Sequence, residues 1–213
     1  MRIFNLIKKD ILLVGNYLFV SLLLAFALPI YLSHQSVYLG SVYLLLVSIS
    51  FSCYFIFNNI FLAEDKYKGN LYLMSTPYTK WDIAITKYIL ALLLFGIELI
   101  CYFFSSKIIH AVKPSLSFSA ISIVFFLFSV VLSIFFPLYF RYSYAKIKMA
   151  LLVIFIFLPT WGVVGVTYLL GRKSIADGSG LSVKASCLLI ILGGIVLLLS
   201  AQYSNHILKK RDF

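Results

Sequence analysis

The chain has 213 residues, of which 62% are hydrophobic and only 12% are charged, and its mean hydropathy is +1.03. A soluble domain needs a polar shell around its core, so this composition excludes a soluble globular protein. The formal net charge of +11 is spread over short segments between apolar runs. Membrane topology and anionic headgroups explain such scattered bases better than nucleic-acid binding, which needs one basic face.

Apolar runs along the chain predict an all-α integral membrane protein. Residues 11–63 carry no charge, which is too long for one crossing of a hydrocarbon core that about 20 helical residues span. The polar Ser33–Ser36 is the natural place for a turn between two spans. Taken in chain order, the runs predict a single transmembrane domain over 1–213 with six transmembrane helices, at residues 11–32, 37–62, 83–104, 116–139, 149–170 and 185–203.

The first ten residues predict a short amphipathic helix in the membrane interface. Ile3 and Leu6 fall on one face of a helical wheel, whereas Lys8 and Lys9 fall on the other. Of the 18 Lys and Arg, 13 lie on the side that holds both termini. Because cytoplasmic segments carry the excess of basic residues, both termini are expected in the cytoplasm.

Few residues of the sequence are candidates for catalysis, metal binding or substrate binding. Glu98 is the one clear ionisable residue that we identify inside a predicted span, near the middle of the third. It is a candidate for a substrate path, or it accepts hydrogen bonds from hydroxyl groups in the bundle interior. The sequence shows no catalytic set, no metal-ligand spacing and no phosphate-binding loop. We therefore expect no catalytic, cofactor or metal residues in this chain.

The stretch between the second and third spans is unusually polar and predicts a structured cytoplasmic element at residues 64–80. Glu64 and Asp65 would begin a helix, where acids favour the helix dipole. Tyr67, Leu71 and Met74 would then share one face at helical spacing, beside Lys68. Such a stripe amid charges indicates a docking surface for a cytoplasmic protein, and the alternative is an interfacial helix lying on lipid.

A second helix start follows this stretch directly. Pro77 interrupts the chain because proline disfavours a helical residue before it and lacks an amide hydrogen. Thr79 and, three residues later, Asp82 form a capping-box pattern that leads into the third span. The second and third spans are thus predicted to be joined by a helix, a turn and a new helix.

These residues carry a resemblance to a known family. The segment LYLMSTPYTKWDI at 71–83, followed by Thr86-Lys-Tyr88, resembles the same region of small bacterial type-2 ABC exporter permeases. The amphipathic start, the six-span layout and the basic ending at 204–213 are similar as well. The segment 171–180 departs from this family because it is brief and polar. Type-2 exporters often carry short re-entrant helices at this place, on the outer side of the membrane, where they form an outer gate. Either the segment after Pro159 is itself partly re-entrant, or the outer gate is reduced in this protein.

The resemblance implies a non-enzymatic permease that pairs with a second permease, identical or different, and with ABC ATP-binding subunits that hold ATP and Mg. It implies a multi-pass protein of the bacterial cytoplasmic membrane that exports hydrophobic or amphipathic peptides, including antimicrobial ones. The composition indicates a Gram-positive source. The ATPase-docking residues would be Glu64, Asp65, Tyr67, Lys68, Leu71, Met74, Thr79 and Asp82.

Two other classes of protein fit the sequence less well. A stand-alone membrane carrier, or an immunity protein that binds its toxin directly, would use Glu98 without an ATPase partner. It lacks partner acids and an obvious inverted repeat. A membrane-embedded hydrolase lacks every residue set that it would need.

Overall fold

The computed structural model describes residues 2–34, 40–67, 78–108, 116–142, 144–157 and 182–210. Within these ranges the chain is helical and contains no strand. The helices are α1 (Arg2–Val14), α2 (Tyr17–His34), α3 (Ser41–Lys66), α4 (Lys80–Ile108), α5 (Phe118–Arg141), α6 (Tyr144–Leu152), which continues as a π-helical turn (Val153–Phe157), and α7 (Val183–Lys210).

Four of these helices are long and apolar enough to cross a membrane, namely α3, α4, α5 and α7. The bent pair formed by α1 and α2 raises the number to as many as five. The predicted all-helical membrane fold is confirmed, with four or five candidate spans in the described residues where six were predicted. Most of the predicted fifth span, 149–170, lies outside the described residues, as does the polar segment 171–180.

The N-terminal helix is longer than predicted. Instead of ending near residue 10, α1 continues to Val14, and the chain turns by 83° into α2. Gly15 stands at the turn with φ +52°, a left-handed conformation that glycine adopts without steric penalty. The predicted first span, 11–32, therefore begins inside α1, and the bend separates an arm from the apolar α2.

Helix α3 is the central helix of the bundle. Its buried residues occur on several faces, and its rings pack with those of neighbouring helices. Phe57 meets Phe136 of α5 edge to face, with ring centroids 5.3 Å apart, and Phe155 of the π-helical turn lies 6.2 Å away. Such burial of aromatic area supplies dense packing that fixes helix positions where lipid gives no hydrophobic drive.

Two helix pairs position the outer helix α7. Gly193 lets α7 approach α5 closely, because a Cβ at this position would lie 3.0 Å from the ring of Phe125. Nearer the other end of α7, the hydroxyl of Tyr88 in α4 lies 2.7 Å from Ser200 Oγ and 2.9 Å from Ser204 Oγ. Small residues and hydroxyl groups thus hold α7 against the bundle, as is common between membrane helices.

Candidate functional site

A buried group of charged side chains lies at one end of the bundle, and we call it the ion network. It comprises Lys9 and Asp10 of α1, Glu64 of α3, Lys87 of α4 and Tyr139 of α5. The side chains of Asp10, Glu64 and Lys87 are each at most 3% exposed, whereas Lys9 is 32% exposed. Ion pairs therefore join α1, α3 and α4 here, and the Tyr139 hydroxyl joins α5 to them through a hydrogen bond.

The distances within the ion network are those of direct ion pairs, all of them hydrogen-bonded except the contact between Lys9 and Asp10 Oδ1. Lys87 Nζ lies 2.7 Å from Glu64 Oε1 and 3.0 Å from Asp10 Oδ2. Lys9 Nζ lies 2.9 Å from Glu64 Oε1 and 3.0 Å from Asp10 Oδ1. The Tyr139 hydroxyl donates to Glu64 Oε2 at 2.6 Å. Each ammonium group thus bridges the same two carboxylates.

The charges of the ion network balance. Two ammonium groups face two carboxylates, so the cluster is neutral although its members are largely withdrawn from water. A single buried charge would be strongly unfavourable in this setting, and pairing with good geometry offsets the desolvation. Lys87 gains a further contact because its Nζ lies 5.6 Å from the ring centroid of Phe61, which in turn stacks on Tyr139 at 3.8 Å.

The ion network lies directly beside the connection between α3 and α4. Glu64 is in the last turn of α3, and Lys87 is in the second turn of α4. The start of α4 is fixed by the capping box predicted from the sequence: Asp82 N donates to Thr79 Oγ1 and Thr79 N donates to Asp82 Oδ2, both at 3.1 Å. The capping-box prediction is confirmed.

The structure places Glu64 inside a longer helix than the sequence predicts. Glu64 is predicted to begin a separate cytoplasmic helix, but α3 continues without a break to Lys66 and buries this carboxylate. The predicted helix start is wrong because buried cations make an acid tolerable inside α3. Asp65 and Tyr67 are exposed. Lys68, Leu71 and Met74 lie outside the described residues.

Sequence reasoning missed Lys9, Asp10, Lys87 and Tyr139 as partners of Glu64. Besides Glu98, Lys87 also lies inside the predicted third span, 83–104. A base five residues into a span is a signal for a buried acidic partner. The identity of its partners depends on contacts between residues far apart in sequence.

Glu98 belongs to a second, smaller polar contact in the interior. Ser48 of α3 donates to Glu98 Oε2 at 3.0 Å, and both residues are buried. One turn further along α3, Ser52 donates to the carbonyl of Ser21 in α2 at 3.3 Å. The hydroxyl contact foreseen as the structural alternative for Glu98 is therefore present, and it ties α3 to α4 deep within the bundle.

Metal binding has no support in the part of the chain that the structure describes. Within it, no group of three or more His, Cys, Asp or Glu side chains is placed to hold a metal ion. The two carboxylates of the ion network are already engaged by ammonium groups. The chemistry of this site is thus ionic fastening between helices.

Fold and site together define a multi-pass, all-helical membrane protein with a buried ion network at one end. The family model described as ABC-2 family transporter protein matches residues 5–209, which is nearly the whole chain. The chain belongs to this family. It is a permease of an ABC transporter, a transport component that is not itself catalytic, and the family implies association with an ABC ATP-binding subunit. Comparison with curated proteins and with solved structures found no match.

Proposed function

We propose that this permease is the membrane subunit of an ATP-driven exporter in the bacterial cytoplasmic membrane and that residues 64–80 couple it to the ATP-binding subunit. The ion network is the observation that carries this proposal. It fastens both helix ends that flank the connection, at Glu64 and Lys87, to α1 and α5. A movement of the connection would therefore be transmitted to all four helices of the ion network, namely α1, α3, α4 and α5.

The exposed residues beside the ion network supply the docking surface in this proposal. Tyr67 is 62% exposed at the end of α3, and Lys66 lies over its ring with Nζ 5.5 Å from the centroid. Together with Asp65 they present an aromatic ring between charges of both signs, a combination that suits a protein contact. We assign Glu64 to transmission of the movement and Asp65, Tyr67, Lys68, Leu71 and Met74 to contact with the partner.

The orientation with both termini in the cytoplasm is part of the proposal. The end of the bundle that holds the ion network also holds the last residues of α7, since Lys80 Nζ lies 3.5 Å from the carbonyl of Lys209. Lys209 and Lys210 thus share that end with Lys9 and Lys66. The excess of basic residues there supports its assignment to the cytoplasmic side.

For the transported molecule we propose hydrophobic or amphipathic peptides, and for the assembly a dimer of permeases, identical or different. The support is the resemblance of the segment at 71–88 to small type-2 exporters. The large apolar surface that α2, α4 and α7 expose suits contact with lipid and with a second permease.

Copurification tests the docking role. The tagged permease is extracted in mild detergent from its own host, and the amount of ABC ATP-binding subunit per permease is measured. We expect about one per permease for the wild type and a loss of at least ten-fold when Tyr67, Leu71 and Met74 are replaced together by Ala. Tyr142→Ala is the matched control, since Tyr142 is an exposed tyrosine at the end of α5. Unchanged copurification of the triple variant would remove residues 64–80 from the docking role.

A transport assay separates this proposal from a carrier that works without ATP. In sealed vesicles, export of a fluorescent amphipathic peptide should stop when ATP is removed and should continue when the proton gradient is collapsed. Glu98→Gln should transport at a rate within about two-fold of the wild type. Transport that follows the proton gradient, survives ATP removal and disappears in Glu98→Gln would contradict the proposal.

A further inference from the structure

A cleft opens between the end of α5 and the last turns of α7, at the same end of the bundle as the ion network. Its volume is about 460 Å³. Two cations, an imidazole, a phenol and one aliphatic side chain line it: Arg141, Lys210, His206, Tyr203 and Ile207. None of the described lining residues is acidic, so no carboxylate among them neutralises the two cations.

Three of the acids described near this end of the bundle are committed elsewhere, and the fourth, Asp65, is exposed at the end of α3 and does not line the cleft. Asp10 and Glu64 are bound by the two ammonium groups of the ion network, and Asp82 completes the capping box of α4. Arg141 is held at the rim because its guanidinium lies 5.5 Å from the ring centroid of Tyr142. The cleft therefore presents positioned donors to an anion from outside the bundle.

An exposed apolar track runs along α7 into the cleft. Ile191, Ile195, Leu199 and Tyr203 follow one another at four-residue steps, so each neighbours the next along a stripe that winds about 120° around the helix, and their exposed fractions are 63%, 47%, 60% and 55%. Twelve residues of helix span about 18 Å. This length is close to one leaflet, which is about half of the ~30 Å hydrocarbon core.

We propose that this cleft binds an anionic phospholipid from the leaflet at that end of the bundle. Arg141 and Lys210 pair with the phosphate, the former through its planar fork, and Tyr203 and His206 add hydrogen-bond donors. One acyl chain lies along the apolar track on α7. An acidic protein segment would match the cations but would have no use for an apolar track that faces lipid. The described lining of the site shares no residue with the docking surface at residues 64–80.

Lipid retention tests the site in the intact permease. The protein is purified in detergent, equilibrated with equal amounts of phosphatidylglycerol and phosphatidylcholine, and weighed by native mass spectrometry. We expect the wild type to retain about one phosphatidylglycerol in preference to phosphatidylcholine. The double variant Arg141→Gln/Lys210→Gln should bind it about ten-fold more weakly, because each base near a headgroup phosphate contributes appreciable attraction. The control is Lys146→Gln/Lys148→Gln, which removes the same charge from exposed positions of α6.

The two parts of the lipid are then tested separately. Replacement of Ile195 and Leu199 by Ser should weaken retention while all headgroup contacts stay in place. Glycerophosphoglycerol, which lacks acyl chains, and inorganic phosphate should compete only at concentrations at least 100-fold higher than the lipid. Competition by either at equal concentration would overturn the lipid assignment in favour of a soluble anion site.

Three further outcomes would overturn the proposal. In the first, Arg141→Gln/Lys210→Gln and the Lys146/Lys148 control lose retention equally, which would mean general surface electrostatics. In the second, retention is unchanged in the cleft variant. In the third, that variant loses the ATP-binding subunit while it keeps the lipid, which would assign the cleft to an acidic protein surface. Monodisperse elution of both variants from size exclusion shows that they remain folded.

Discussion

Lys87 Nζ lies 2.7 Å from Glu64 Oε1, although the two residues are 23 positions apart and belong to different helices. The pair joins the last turn of α3 to the second turn of α4, so it holds together the two helix ends that flank the connection. The same ammonium also reaches Asp10 of α1 at 3.0 Å. The relative positions of three helix ends thus depend on one buried charge.

Removing the Lys87 charge alone should destabilise the protein more than removing the charges of Lys87 and Glu64 together. In Lys87→Met, two buried carboxylates face only Lys9, and we expect a loss of about 3–5 kcal/mol. In Glu64→Gln/Lys87→Met the remaining Lys9 and Asp10 are balanced, so the double variant should recover at least half of that loss. Apparent melting temperatures in detergent, followed by fluorescence size exclusion, measure the difference.

Asp65→Asn is the control for the ion network, because it removes a carboxylate that is adjacent in sequence but exposed. Its melting temperature should stay close to that of the wild type, as is usual for exposed charges. If the loss of stability in the Glu64/Lys87 double variant equalled the sum of the losses in the two single variants, the two side chains would not interact. The ion network would then not fasten the helices.

The Tyr139 hydroxyl should contribute measurably on its own. Tyr139→Phe removes a 2.6 Å hydrogen bond to Glu64 Oε2 while it keeps the ring that stacks on Phe61. A hydrogen bond to a charged group is worth about 1.5–3 kcal/mol, and we expect a loss in this range. Tyr142→Phe, at an exposed neighbouring tyrosine, should change the melting temperature little. Equal effects of the two substitutions would contradict the assigned hydrogen bond.

The capping box at the start of α4 is open to a test by conservative replacement. Thr79→Ala removes the acceptor for Asp82 N and should cost about 1 kcal/mol, whereas Thr79→Ser keeps the hydroxyl and should be nearly neutral. Thermal melting gives the stability, and copurification gives the binding of the ATP-binding subunit. If Thr79→Ser lost the subunit while it kept the wild-type stability, the side chain would contact the partner as well as cap the helix.

Gly193 and Gly194 are neighbours in α7, so the stabilities of their Ala variants can be compared directly. Gly193→Ala places a Cβ 3.0 Å from the Phe125 ring and 3.1 Å from Ser129 Oγ, so these two side chains must shift by a few tenths of an ångström, and we expect a loss of about 1–3 kcal/mol. At Gly194 no atom lies within 4 Å of an added Cβ, so Gly194→Ala should be neutral or slightly stabilising because alanine favours helix. Similar melting temperatures for the two variants would contradict the close approach of α5 and α7.

Sequence patterns predicted the parts of this fold that depend on neighbours along the chain. The apolar runs gave the long helices because helix in lipid must satisfy its own backbone hydrogen bonds. Thr79 and Asp82 gave the start of α4 because a capping box needs only residues three apart. The family resemblance at 71–88 gave the class of transporter, which the family match confirms.

The ion network could not be predicted in the same way. Glu64 lies just after an apolar run, where an exposed position in a loop would explain it equally well, and Lys87 inside the third span indicates a buried acidic partner without saying which one. Their burial depends on Asp10, which lies 77 residues from Lys87, and on Tyr139, which lies 75 residues from Glu64. Pairings at such separations follow from tertiary packing, and no local pattern encodes them.

The bend at Gly15 gives α1 and α2 the shape of an elbow. Asp10 is five residues from the bend, an arm of about 7.5 Å, whereas the 18 residues of α2 form an arm of about 27 Å. If the elbow turns as one rigid body, a displacement of 1 Å at the ion network becomes about 3–4 Å at the far end of α2. Small movements beside the α3–α4 connection would thus be amplified at the far end of α2, through leverage alone.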